Sequence, residues 1–87
     1  MTTTEKPRRY RHNDPDPVTT GANLRRARID RGITQRQLAE ALGYKTPVMV
    51  THIEQGIRGM HEDRLIVAAR FLGVSPTVIR KPAKATK

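Results

Sequence analysis

The chain contains no cysteine, which excludes disulfides and thiolate metal sites. No apolar run approaches the roughly 18 residues that a membrane span requires. The polar opening, MTTTEKPRRYRH, also lacks the apolar segment of a secretory signal. A cytoplasmic protein with no membrane partner is therefore expected. No stretch competes as a strand, and nothing repeats internally. The histidines, His12, His52 and His61, are scattered, and no grouping of His, Ser and carboxylate side chains has catalytic or metal spacing. Enzyme activity, a cofactor, a bound metal and a small-molecule ligand are not expected. Acidic residues are few, 8 against 17 Lys and Arg.

The resulting net charge of +9 is spread unevenly, with +1 on residues 1–20, +5 on 21–80 and +3 on 81–87. A basic domain with a basic tail suits a polyanion partner. A chain of 87 residues is expected to form one domain, without a second ligand-sensing or peptidase-like domain. Cores below roughly 70 to 80 residues supply only about 3 to 5 kcal/mol, so oligomerisation is a plausible source of extra stability.

Residues 1–20 are polar, hold Pro7, Pro15 and Pro17 and show no apolar period. They read as a flexible, disordered basic arm. Its basic core, KPRRYRH, is either a solvated tail or an arm that follows phosphates or enters a minor groove, with Asp14 and Asp16 opposing the latter. Residues 81–87 form a second basic tail, and Pro82 argues against continuation of the last helix.

Between the tails the spacing predicts five helices. The first runs from Gly21 or Ala22 to Asp30, with Leu24 and Ala27 or Arg28 inward and Gly32 at its end. Thr34 reads as an N-cap for a helix over 35–42 carrying Leu38, Ala39 and Leu42, and Gly43 stops it. Thr46 as N-cap and Pro47 at the first helical position restart the chain, with Val50 and Ile53 facing inward and Gly56 closing the helix. After a loop over 57–60, a fourth helix covers 61–72 with the stripe Leu65, Ala69 and Leu72. Gly73 ends it, and Ser75 with Pro76 caps a fifth helix reaching Arg80.

The segment TQRQLAEALGYKTPVMVTHIEQ, residues 34–55, is thus two short helices joined by a tight turn. Together with NLRRARIDRGITQRQLA before it and IEQGIRG and LIVAARFLGVSP after it, it resembles the Cro/repressor type of helix-turn-helix domain, which includes the lambda-like phage repressors. The resemblance covers residues 21–80. It implies an all-α, compact five-helix, lambda-repressor-like domain that binds double-stranded DNA, with residues 1–20 and 81–87 as tails.

A helix entering the major groove presents its first turn and one lateral face to base edges, and the residues so placed on the third helix are Thr46, Pro47, Val48, Thr51, His52 and Gln55. They also match the family's contacting positions. Gln55 suits adenine, Val48 and the threonine methyls suit a thymine methyl, and His52 suits a guanine edge or a phosphate. Met49 is either half-buried or available to the groove. Gln35 matches a family glutamine that binds a backbone phosphate and braces the recognition helix, while Arg36, Lys45, Arg58 and Arg25 or Arg26 are placed to add phosphate contacts. Arg28 and Glu54 match an internal ion pair of many relatives. One departure affects the register: Tyr44, Lys45 and Thr46 make the turn one residue longer than its commonest form. If Tyr44 takes the usual apolar turn position, Lys45 is looped out and the contact set stands. If it does not, Lys45 moves toward the groove.

Helix four carries Ile66, Val67 and Phe71 beside its inward stripe. The resemblance implies a homodimer contact through Phe71, Val74, Ser75, Pro76, Thr77 and Val78, the alternative being that Phe71, Val74 and Val78 complete the monomer core. The expected function is a sequence-specific transcriptional regulator, a repressor of phage, plasmid or prophage type that dimerises weakly and completes the dimer on DNA. An antitoxin-type autoregulator and a protein-interaction adaptor using the same fold are the alternatives. The adaptor draws its support from the apolar opening Pro47, Val48, Met49 and Val50.

Overall fold

The computed structural model describes residues 14–81, and the outer parts of the expected arm and tail, 1–13 and 82–87, lie outside them. Among the described residues the chain forms five helices and no strand. The first, α1 (Pro17–Asp30), begins about four residues before the expected Gly21 or Ala22. The Asp16 carboxylate accepts the Thr19 amide at 3.2 Å and Pro17 occupies the first turn, which satisfies the helix start without any apolar period. Residues 14–20 therefore belong to the folded body, which corrects the arm boundary expected at residue 20. Hydrogen bonds from the Thr19 hydroxyl and amide hold the Asp16 carboxyl below its usual range.

The second helix, α2 (Gln35–Leu42), opens on a reciprocal capping box. Thr34 Oγ1 accepts the Gln37 amide at 3.0 Å while Gln37 Oε1 accepts the Thr34 amide at 2.8 Å. Gly43 ends it at φ 84°, a left-handed conformation costly to any residue with a Cβ. Then come α3 (Val48–Glu54), α4 (Glu62–Leu72) and α5 (Pro76–Arg80). His61 precedes α4 and Ser75 precedes α5, neither making a side-chain cap bond, so Ser75 acts through its extended backbone and the following proline alone. Helix α1 packs on α3 and α5, α2 on α3 and α4, and α4 on α5.

Leu24, Leu38, Leu42, Val50, Ile53, Leu65, Leu72 and Ile79 meet in the centre, with the alanines Ala39, Ala68 and Ala69 where helices approach closely. Met60, in the loop expected over 57–60, is also fully buried. Phe71 and Val78 remain 44% and 51% exposed, so they do not complete the core, whereas Val74 packs partly against it.

A buried polar cluster closes the start of the domain. The Asp14 side chain is fully enclosed and lies 2.8 Å from Arg80 Nη1. It also accepts the Thr20 hydroxyl at 3.0 Å and the Met60 amide at 3.2 Å. Arg80 Nη2 donates to the Met60 carbonyl and to Glu62, each at 3.2 Å. Three chain segments are thus tied at one point: the start of α1, the loop before α4 and the end of α5. Asn23 reinforces the last of these by donating to the carbonyls of Ile79 and Lys81.

Removing Asp14 takes the enclosed carboxylate from Arg80, leaving it the exposed Glu62, and takes away an acceptor of the Met60 amide. Asp14→Ala is expected to lower unfolding free energy in a urea titration by about 3 kcal/mol. An unchanged midpoint would show that the Asp14 cluster contributes nothing to the fold.

Candidate nucleic-acid interface

The turn between α2 and α3 is set by Tyr44. Its amide donates to the Ala39 carbonyl at 2.9 Å, completing the stop of α2, and its half-buried side chain packs against the core. The Arg64 guanidinium lies 5.3 Å from the centre of its ring, within cation–π range. Tyr44 thus fills an apolar turn position, and Lys45 and Thr46 lie exposed beyond it.

Regular α3 begins at Val48, one residue after the expected first position, because the first helical bond is Thr51 amide to Pro47 carbonyl at 3.0 Å. The Thr46 hydroxyl nevertheless accepts the Val48 amide at 3.2 Å. Val50 and Ile53 point into the core. Val48 and Gln55 are exposed and His52 half-exposed, and their spacing of four and three residues puts them on one face. Pro47, Met49 and Thr51 are half-buried. Met49 Sδ takes a contact from Arg58 Nη1 at 3.1 Å, which places Arg58 beside α3.

The end of α3 is held from two sides. Arg28 on α1 grips Glu54 with two parallel bonds, Nε to Oε2 at 2.6 Å and Nη2 to Oε1 at 3.0 Å, and its Nη1 donates to the Ile33 carbonyl at 2.9 Å. The Glu54 side chain is only 2% exposed. Gln35, in the first turn of α2, donates through Nε2 to Glu54 Oε1 at 3.0 Å, and the Thr51 hydroxyl lies 3.0 Å from Gln35 Oε1. One carboxylate therefore joins α1, α2 and α3. Bidentate geometry and further bonds are what make such a buried pair sustainable.

Close approach of α1 supports the same joint. A Cβ built on Gly21 would overlap the carbonyl oxygens of Ile53 and Glu54, so only glycine lets the two helices meet there. This glycine, the Asp14 cluster and Asn23 are absent from the expected site. The Asp16–Pro17 pair was a readable start signal, but nothing local marks Asp14 or Gly21 as contact points. Among the expected phosphate-contact residues, Arg25, Arg26, Arg36 and Lys45 are exposed. Arg26 and Arg25 border a concavity on α1 that reaches Glu54, and Arg26 also borders a groove leading to Val74 and Val78. Ser75, Pro76 and Thr77 lie exposed at the start of α5, on the same segment as Val78. Among the described residues no group of His, Cys, Asp and Glu could hold a metal ion, and no helix is long and apolar enough to cross a membrane.

A family model described as helix-turn-helix matches residues 24–79. Among solved structures, the chain is similar to the clp gene regulator ClgR of Corynebacterium glutamicum, at 32% identity and TM-score 0.69, over 72% of this chain and 66% of that one. It is also similar to the restriction-modification controller protein C.AhdI of Aeromonas hydrophila, at 27% identity and TM-score 0.66, over 72% and 90%. A third likeness is to part of an enzyme, the hydroxypropylphosphonic acid epoxidase of S. wedmorenis, at 26% identity and TM-score 0.71, over 82% of this chain but 37% of that one. Comparison with curated proteins finds no match.

Loss of the Glu54 carboxylate would strand the Arg28 guanidinium, which is itself only 12% exposed. Breaking a buried pair costs about 3 to 5 kcal/mol, and in a domain of this size each kcal/mol moves Tm by about 4 to 8 °C. Glu54→Ala is therefore expected to lower Tm by at least about 10 °C, and an unchanged melting curve would refute a structural role for the pair.

Proposed function

Because the chain belongs to the Cro/repressor-type helix-turn-helix family of DNA-binding domains, we propose that it is a sequence-specific regulator of transcription that reads double-stranded DNA. The observation that carries this reading is the rigid joint at Glu54, which fixes α3 with Val48, His52 and Gln55 outward. A helix held so from behind is preorganised for a groove, and Thr46 and Pro47 at its start extend the proposed base-reading set. Gln35, Arg36, Lys45, Arg58, Arg25 and Arg26 supply phosphate contacts in this reading. The side chains of Val48 and Pro47 have no hydrogen-bond donor, so much of the affinity comes from phosphates and from dimer geometry.

The proposed regulator is a repressor acting as a homodimer, formed through Phe71, Val74, Ser75, Pro76, Thr77 and Val78, on a two-fold related operator. The exposure of Phe71 and Val78, continued along α4 by Ile66 and Val67 at 39% each, supports this. Two recognition helices about 34 to 36 Å apart then face successive turns of one groove. ClgR is a gene regulator and C.AhdI a controller protein by name, which supports regulation over the other readings. A cytoplasmic, nucleoid-associated location follows from that role.

A second reading, in which the fold serves as an adaptor that reads no DNA, is favoured by the likeness to a segment of an epoxidase and by the exposed Val48 at the start of α3. Selection of bound duplexes from a random library separates the two. The proposal expects enriched sites with two-fold symmetry, Arg36→Ala weakening all sites alike and Gln55→Ala relaxing preference at particular base pairs. Failure to enrich any sequence would favour the adaptor.

A further inference from the structure

Thr51 stands on the recognition helix, yet its hydroxyl is engaged inside the domain. It lies 3.0 Å from Gln35 Oε1 and 3.2 Å from the Pro47 carbonyl oxygen. Both are acceptors, so the single hydroxyl proton is directed into the protein whichever it serves. Gln35 Nε2 in turn donates to Glu54 Oε1 at 3.0 Å, and both oxygens of Glu54 hold Arg28. The Gln35 amide thus has a donor at its oxygen and a carboxylate at its nitrogen. Exchanging the two ends would set its carbonyl against the Glu54 carboxylate, which can only accept, so Glu54 selects the orientation and the Thr51 hydroxyl, donating to Gln35 Oε1, holds the amide in it. In that orientation one of the two amide protons serves Glu54, and the second is left for an acceptor outside the network.

We propose that Thr51 is a positioning residue for DNA binding, whose hydroxyl fixes the Gln35 amide so that its second proton meets a backbone phosphate, and that Thr51 reads no base. This rests on the DNA-binding reading above, and it narrows the base-reading set to Thr46, Pro47, Val48, His52 and Gln55. The arrangement also explains why a short β-branched hydroxyl residue is suited to this place. Its oxygen reaches across the crossing of α2 and α3 while its stem stays half-buried between them.

The test uses the full chain, a duplex selected by the wild-type protein and the single-base variants of that duplex. Thr51→Val should weaken binding to all of them by about fivefold, the worth of one neutral hydrogen bond, with the order of base preferences unchanged. Thr51→Ser should restore wild-type affinity. In a Gln35→Ala background, Thr51→Val should add less than about twofold, since residues acting through one another are not additive. Melting curves of each variant show that the folded protein is being compared. Relaxed preference at one base pair would overturn the proposal and make Thr51 a base reader, as would a full, additive loss in the Gln35→Ala background. A wild-type chain with no duplex preference overturns the DNA-binding reading itself, and is distinguished because it appears before any variant is compared.

Discussion

Three helices of this domain converge on the carboxylate of Glu54. Arg28 binds it in parallel from α1, Gln35 reaches it from α2, and Glu54 itself ends α3. A charge with almost no exposure is sustainable only when its partners are fixed in place. Here the same partners determine how α3 lies across α2 and how far α1 stands from both. Gly21 allows the approach, and the Ile33 carbonyl holds the third arm of the guanidinium. The helix pair is therefore not a free-standing motif. Its angle is a property of the tertiary joint behind it.

A second polar joint performs the corresponding task at the opposite end of α1. Asp14, Arg80 and the backbone of Met60 connect the beginning of the folded chain to its end. In consequence α5, only five residues long, is secured by Arg80, by Asn23 and by buried Ile79 rather than by its own length. A helix so short has little intrinsic stability, and its placement matters for the proposed dimer because Val78 projects from it. The two joints divide the labour: one orients the proposed reading helix, the other seats the proposed dimer element.

Much of this was legible in the sequence where local signals coincide. The N-cap at Thr34, the stop at Gly43, the stripe Leu65, Ala69 and Leu72 and the Ser75–Pro76 start combine an apolar period with terminus signals, and helices α2, α4 and α5 fall at those places. The start of α1 was misplaced because PVTT has no apolar period, although Asp16–Pro17 is the same kind of cap and proline pair as Ser75–Pro76. Met60 is a single apolar residue in a loop, where no periodicity can mark burial. The polar contacts are less legible still. Asp14 meets Met60 across 46 positions, and Thr51 meets Gln35 across 16, distances at which pairing is decided by how the helices cross. Side-chain type and helix position place Thr51 among the groove-facing residues, while its contact with Gln35 depends on how α2 and α3 cross.

What faces outward from α3 is short and largely apolar at its start, with His52 and Gln55 as its longer polar side chains, and basic residues flank it on several elements. In the proposed dimeric regulator such a surface draws its affinity mainly from phosphates, with specificity from a few base contacts and from the spacing of two copies. The most direct measurement is a salt titration of binding to a selected duplex and to random duplex. A steep fall of affinity with salt on both is expected, with a preference for the selected site of at least about a thousandfold. Equal affinity for both, or no duplex binding at low salt, would contradict it.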